Sequence, residues 1–250
     1  MKHIFSRQLP VWIIICTTLS CAKQNTGNPT ASLIIFNAVP GTTSGLVTNF
    51  NGGGQLVWYK TALKLTYGTQ DKANQPLSFA SGQKLAIYNY PDTMAQSAPL
   101  FNLALNLQPG TIHTLFLTGT LTAPDTLLTT DVYPYHPSSD SSVGVRIVNL
   151  SPGNAPISVN VTGNANGSEV SSLSYKGITG FKMYPATSAV AHYNFEFRDA
   201  VSGTLLGSYD MTGVNATAGT NTRRFRNFTL AFMGLPTDAI PRKIAPIDAY

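Results

Sequence analysis

Short stretches in which apolar and polar side chains alternate recur along the chain. In residues 101–107 the odd positions are all large and apolar, and in residues 192–198 three aromatic side chains share one face. Ile157, Val159 and Val161 alternate with polar residues in the same way. This period of two is typical of strands with one buried face. No comparably long stretch keeps a helical period, so the pattern predicts an all-β protein whose alternate side chains are buried between two sheets.

The chain also contains an internal repeat. Residues 33–41 align with residues 145–153 at a constant offset of 112, and a Gly-Thr pair precedes the closing apolar strand of each copy. The positions shared by the two opening strands are Ile35/Ile147, Asn37/Asn149, Pro40/Pro152 and Gly41/Gly153. Copies of roughly 100 residues fit immunoglobulin-like sandwiches of about seven short strands. The fold class predicted is therefore all-β, with two tandem immunoglobulin-like β-sandwich domains.

A segment rich in Pro and Ser, residues 133–142, separates the two copies. Such composition is typical of domain boundaries. We therefore expect a first sandwich at residues 32–134, a linker at 135–142 and a second sandwich at 143–250.

These motifs resemble a known family. The Asn-x-x-Pro-Gly segment of both copies, Tyr67-Gly68 and Tyr175-Lys176-Gly177 before a hairpin, and the closing strand that ends in Gly resemble the domain of unknown function 4397. Val39 departs from the Ser that the family usually has there. The resemblance covers residues 32–250 and implies an exported bacterial protein with tandem immunoglobulin-like sandwiches, often a lipoprotein of Bacteroidetes. It implies no catalytic residue.

The first twenty residues have the pattern of a secretory signal peptide. A basic head with Lys2 and Arg7 precedes an apolar stretch at residues 11–19, which is nine residues long. A membrane-spanning helix needs about 20 residues. Residues 1–20 are therefore predicted to be a signal peptide and not a transmembrane anchor.

The end of this segment resembles a lipobox. In Leu19-Ser20-Cys21 a thiol stands at the predicted cleavage point, where it would take a thioether-linked lipid, and a polar stretch follows. We expect lipidation at Cys21, a flexible tether at residues 21–31 and attachment to the outer membrane, with the periplasmic or cell-surface side left open. The alternative is an ordinary signal peptide followed by a chance cysteine.

The amino-acid composition excludes further classes of protein. The chain has 250 residues, 43% of them hydrophobic and 11% charged, which excludes a disordered chain and a helical bundle. The formal charge is +5 and falls to +3 without the signal peptide, which gives little support for nucleic acid as a partner. Cys16 and Cys21 are the two cysteines, and once one is removed and the other lipidated, no cysteine nucleophile or cysteine metal site remains.

Two groups of residues are candidate binding residues. Arg223, Arg224 and Arg226 form a basic cluster around Phe225 that would suit lipid headgroups or acidic glycans, or would simply be a solvated loop. The second group contains Trp58, Tyr59 and Tyr67, whose rings could stack on a sugar or belong to a sandwich core.

No catalytic or metal-binding arrangement is apparent in the sequence. The histidines His113, His136 and His192 stand alone, and we expect His113 and His192 to be solvated strand residues. No cofactor and no metal are expected. Asp92-Thr93 and Asp125-Thr126 resemble the O-glycosylation sequence of Bacteroidetes.

These observations favour a lipid-anchored cell-envelope protein that is not an enzyme and that serves as a binding, adhesion or structural accessory module. Its expected partners are the membrane, through the N-terminal lipid, and a glycan or an envelope protein. The first alternative is a glycan-binding lipoprotein of a polysaccharide-uptake system. The second is a hydrolase whose site is assembled from distant strands.

Overall fold

The computed structural model describes residues 30–53, 62–70, 75–78, 82–94, 96–217, 221–237 and 241–249. The predicted signal peptide, Cys21, most of the tether, Trp58 and Tyr59 lie outside these residues. The described residues form sixteen strands and no helix, so the all-β class is confirmed. Within these ranges no helix is long and apolar enough to cross a membrane.

Eight strands form two four-stranded sheets in the first half of the chain. Sheet A has the order β4-β1-β7-β8 and sheet B the order β3-β2-β5-β6, and β1 pairs with β7 in parallel. The strands are β1 (Thr30–Asn37), β2 (Leu46–Asn49), β3 (Lys64–Leu65), β4 (Gln75–Ser78), β5 (Gln83–Asn89), β6 (Phe101–Leu105), β7 (Ile112–Gly119) and β8 (Pro124–Asp131).

The second half repeats this topology strand for strand. Sheet C has the order β12-β9-β15-β16 and sheet D the order β11-β10-β13-β14, with β9 and β15 parallel. The strands are β9 (Ser142–Asn149), β10 (Ile157–Val161), β11 (Val170–Leu173), β12 (Lys182–Pro185), β13 (His192–Asp199), β14 (Leu205–Thr212), β15 (Asn227–Met233) and β16 (Lys243–Ala249). The segment between β8 and β9 is residues 132–141.

Each half therefore has eight described strands, and their division between sheets differs from that of an immunoglobulin constant domain. There the first, second, fourth and fifth strands share a sheet. Here the first, fourth, seventh and eighth share one and the second, third, fifth and sixth the other. Because β1 pairs with β7 in parallel, the beginning and end of each half lie side by side in one sheet.

Each half encloses its own hydrophobic core between its two sheets. In the first half Leu33 and Leu115 of sheet A pack with Leu85 and Ile87 of sheet B. The second core is more aromatic, with the rings of Phe197 and Phe232 stacked at 5.7 Å between centroids. The alternation in residues 101–107 and 192–198 is observed in β6 and β13, whose other faces are solvated.

The repeated Asn-x-x-Pro-Gly segment is a corner braced by the asparagine. The fully buried Asn149 accepts a hydrogen bond from the Ser151 backbone N–H (3.1 Å) and donates one to the Leu173 carbonyl (3.0 Å). Asn37 makes the equivalent bonds with Val39 (3.0 Å) and Leu65 (3.1 Å). The asparagine thus links the end of the first strand of each half to the third strand.

A third buried cluster joins the two halves. Sheet A contributes Phe36 and Phe116, and sheet C contributes Val148, Ala231 and Met233 to a cluster in which all five side chains are fully buried. The cluster covers the faces of these two sheets that point away from their own cores. The two sandwiches therefore dock through sheets A and C.

Polar contacts show how the docked sheets are oriented. At the end of β7, Thr118 donates a hydrogen bond to the Leu150 carbonyl, just after β9 (2.8 Å). Asp131, which lies opposite Ile112 at the beginning of β7, forms an ion pair with Arg146 of β9 (2.8 Å). The central strands of both halves consequently run in the same general direction. Their N-terminal ends lie together at the end of the molecule that also holds residues 132–141, here called the linker end.

We expect Asn149→Ala to lower the free energy of unfolding by about 2–4 kcal/mol, because one buried and one partly buried backbone group lose their partner. Urea denaturation followed by circular dichroism measures this loss. The control is Asn102→Ala in β6, where the side chain is exposed, and a change below about 0.5 kcal/mol is expected. Equal effects of the two substitutions would contradict the bracing role.

The Arg146 and Asp131 pair gives a second prediction. Both side chains are buried, so Arg146→Met should cost about 3–5 kcal/mol by leaving a buried carboxylate without its ionic partner. The comparison is Lys176→Met, which removes the partially exposed ion pair with Asp125 (2.9 Å) and should cost less than about 1 kcal/mol. The same denaturation assay compares the two, and a loss for Lys176→Met as large as for Arg146→Met would refute this ranking.

Candidate functional site

The basic cluster lies at the linker end. Its loop is shaped by Asn221, whose side-chain oxygen accepts hydrogen bonds from the backbone N–H groups of Arg223 (2.9 Å) and Arg224 (2.8 Å). Phe225 has a positive φ of 62° and donates its N–H to the Ser142 carbonyl (2.9 Å). The loop is therefore fixed against the first residue of β9.

The three arginines differ in their surroundings. Arg223 donates from Nε to the Thr212 carbonyl (3.2 Å), and its guanidinium lies 4.8 Å from the ring centroid of Phe228. Arg224 donates from Nε to the Ala186 carbonyl (3.0 Å). The Arg226 side chain is exposed and hydrogen-bonds to no other described residue. Two guanidinium groups are thus positioned by the fold, and the third projects into solvent.

Exposed apolar side chains accompany this basic loop. Val132 is 82% exposed, Tyr135 is 85% exposed and Phe225 is 42% exposed. The segment that carries Val132 and Tyr135 is held in place, because Asn227 donates a hydrogen bond to the Pro134 carbonyl (3.0 Å). Neither residue was among the candidates drawn from the sequence, since isolated apolar residues in a linker have no periodicity to mark them.

An open groove of about 300 Å³ adjoins this surface. Its lining includes Met183 and Pro185 of β12 and the acidic Asp140, whose carboxylate accepts a hydrogen bond from the Ser142 hydroxyl (2.8 Å). His136 lies 3.6 Å from the same carboxylate. The linker end therefore carries three arginines and at least one carboxylate.

Tyr67 lies at the docked interface, away from the basic loop. Its ring packs against the interface cluster, and the Lys243 ammonium lies 4.3 Å from the ring centroid. Burial raises the pKa of the Tyr67 hydroxyl to about 12, and this buried hydroxyl has no hydrogen-bond partner among the described residues. Because Trp58 and Tyr59 lie outside the described residues, the sugar-stacking hypothesis now depends on those two.

The histidines also have defined positions. His113 is 4% exposed and contacts the Thr111 hydroxyl (2.7 Å) and the Thr129 carbonyl (3.2 Å), so the expectation that it is solvated is wrong. His192 is exposed and pairs with Asp210 on the outer face of sheet D. Within the described ranges, no group of three or more His, Cys, Asp and Glu residues could hold a metal ion.

The possible glycosylation sequences have different environments. Thr93 is buried, and its hydroxyl lies 3.4 Å from the Pro91 carbonyl. Thr126 is partly buried in β8, and the neighbouring Asp125 binds the Lys176 ammonium of the second half. Burial would raise the pKa of Asp125, but the hydrogen bonds from Lys176 and the Thr126 backbone outweigh it and lower the pKa.

A polar network covers part of the outer face of sheet D. Glu196 accepts hydrogen bonds from Arg198 (2.7 Å), Asn160 (2.9 Å) and Thr162 (2.9 Å). Chiefly the Arg198 hydrogen bond lowers the pKa of Glu196 to about 2. The network connects β10 to β13 by side chains in addition to the backbone ladder.

No protein-family model matches the chain, and no curated protein is significantly similar to it. The class that can be stated is an all-β protein of repeated, docked four-stranded sheets.

The Glu196 network predicts a specific dependence on pH. Because the pKa of about 2 in the folded protein lies below the unfolded value of about 4.3, the network stabilises the fold above pH 4.3. This contribution is lost as the pH falls towards 2. We expect Glu196→Gln to lose less stability between pH 5 and pH 2 than the unsubstituted protein. Thermal melting measures this difference, and NMR titration of the Glu196 carboxyl near its ordinary pKa would contradict the assignment.

Proposed function

We propose that this chain is a lipid-anchored protein of the bacterial cell envelope, attached to the outer membrane through Cys21. In this proposal it acts as a non-catalytic binding, adhesion or structural accessory module. Its two halves would be the tandem sandwiches that the resemblance to the domain of unknown function 4397 implies, with strands divided between the sheets differently from an immunoglobulin constant domain.

The observation that carries the proposal is the arrangement of a repeated unit directly behind the lipobox-like segment. The first strand begins at Thr30, nine residues after Cys21. The two copies of the eight-strand unit then share a buried interface, so the anchor would hold one continuous body of sheets. A repeated sandwich held near a membrane is suited to presenting its loops to a partner.

The placement of the candidate residues adds to this support. Arg223, Arg224 and Tyr67 each contact groups of the protein itself. These contacts hold loops and sheets together. A module that presents a surface to a partner needs such a rigid framework.

We expect Cys21→Ser to abolish the lipid and to release the protein from the membrane fraction, because serine has no thiol to form the thioether. The measurement is intact mass of the purified protein, together with fractionation of cells of a lipoprotein-processing bacterium. The matched control is Cys16→Ser, which lies in the predicted signal peptide and should leave lipidation and membrane attachment unchanged. Retention of the lipid by the Cys21→Ser protein would refute the proposed anchor.

A further inference from the structure

Six residues at the linker end combine positive charge with exposed apolar side chains. They are Val132, Tyr135, Arg223, Arg224, Phe225 and Arg226, here called the linker-end surface. Aromatic and apolar side chains beside basic ones are typical of surfaces that lie at the boundary between lipid headgroups and water. Acidic residues also lie at the same end: Asp140, whose carboxylate accepts a hydrogen bond from Ser142, Asp210, which pairs with His192, and Asp248 near the end of β16.

The start of the first strand lies close to this surface. Ser32 is opposite Ile112, and Ile112 is opposite Asp131, the residue before Val132. With neighbouring strands about 5 Å apart and consecutive Cα atoms 3.8 Å apart, Val132 lies within about 14 Å of Ser32. The polypeptide that leads to the proposed lipid therefore enters the fold beside the linker-end surface.

The length of the tether limits how far this end can stand from the membrane. Residues 21–29 precede β1, and nine fully extended residues reach at most about 30 Å. Strands of seven to eight residues put the opposite end of each sandwich about 25 Å farther from the entry point. The short tether thus favours an orientation in which the linker end faces the lipid.

The opposite end also exposes apolar side chains, but it differs in charge. Met94 and Val201 are exposed in loops there. The basic residues there have partners within the protein, since Lys176 pairs with Asp125, Arg242 interacts with Asp199 and the Lys243 ammonium lies over the Tyr67 ring. Among the described residues, Arg223, Arg224 and Arg226 form no ion pair. Charge complementarity with anionic headgroups therefore distinguishes the linker end from the opposite end.

We propose that the linker-end surface rests against anionic phospholipid headgroups of the membrane that holds the Cys21 lipid. The arginines contact phosphate groups, and Val132, Tyr135 and Phe225 enter the headgroup layer. This inference depends on the proposed lipid anchor. It adds a defined orientation, in which the loops at the opposite end point away from the bilayer.

The test uses the mature lipidated protein in vesicles. Cys21 is acylated in it and Cys16 is removed, so a cysteine introduced by Tyr135→Cys is the one thiol available for an environment-sensitive fluorophore. The matched control is Val201→Cys, because Val201 is equally exposed, at 85%, at the opposite end. The vesicles are phosphatidylethanolamine with phosphatidylglycerol, and phosphatidylcholine alone for comparison.

We expect the label at position 135, but not the label at position 201, to shift to the blue and to be shielded from an aqueous quencher in the anionic vesicles. Equal solvent exposure of both labels on protein whose mass includes the lipid would overturn the orientation and leave the anchor intact. Protein without the lipid would instead refute the proposed function, so the two failures are distinguishable.

A second measurement isolates the surface from the anchor. Unlipidated Cys21→Ser protein should sediment with the anionic vesicles, and adding Arg226→Ala should weaken this binding by about fivefold, because each basic side chain adds to the attraction. Arg226 is exposed, so the substitution leaves the fold intact. Lys64→Ala, at an exposed position in β3 near the opposite end, is the charge-matched control and should have a smaller effect. Equal weakening by both substitutions would show a general charge effect and overturn the proposal.

Discussion

The docking of sheet A onto sheet C is the constraint on which the architecture depends. The parallel central pairs of these sheets have apolar residues on both faces, one set packed in its own sandwich and the other in the shared cluster. β9 and β15 are buried along their whole length. Separation of the halves would expose the large apolar side chains of the shared cluster, each worth about 1.5–3 kcal/mol when buried. Neither half is complete as an isolated sandwich.

The repeat is used asymmetrically across this interface. Equivalent backbone N–H groups, those of Gly68 and Lys176, bond to the carbonyls of Asn37 and Asn149 at 2.7 Å, and both residues have positive φ. In the first half the glycine leaves room for Lys243, since a Cβ atom on Gly68 would lie 2.5 Å from its ammonium nitrogen. In the second half the lysine itself reaches across the interface. At both equivalent positions a lysine of the second half lies at the interface: Lys243 beside Gly68, and Lys176 itself beside Asp125.

The sequence predicted the elements whose pattern is local. Alternation marked β6 and β13, because each has one solvated face, and it marked β10, although the polar Ser158 and Asn160 of that strand are buried. The matched Asn-x-x-Pro-Gly segments identified the repeat. The docking was not predicted, although the runs of consecutive apolar residues in β1 and β9 are the signal of strands buried on both faces. The ion pair of Arg146 was not predicted from the sequence either. Its partner Asp131 lies on another strand of the other half, and no spacing in the sequence marks a pair made by tertiary packing.

The linker-end surface could be predicted from the sequence even less than the docking, because it is assembled by the tertiary structure. The three arginines are close together in the sequence and were predicted as a cluster. Their position beside β9 follows from the hydrogen bond between Phe225 and Ser142. Val132 and Tyr135 become part of the same surface because Asn227 holds the linker at Pro134. Side chains from three separate segments therefore form one surface only after β15 has paired with β9.

The docking of the two halves also determines how a membrane anchor would orient the protein. Two domains joined by a linker alone move relative to each other, whereas a large hydrophobic interface restrains them. Here the buried cluster and the Arg146–Asp131 pair act together with the hydrogen-bonded linker. Because these contacts align the strands of both halves, the entry of the tether and the basic loop share one end. Under the proposed lipid anchor, a single orientation of the body would therefore place both halves at the membrane, and the loops after β5, β7 and β13 would face outward together.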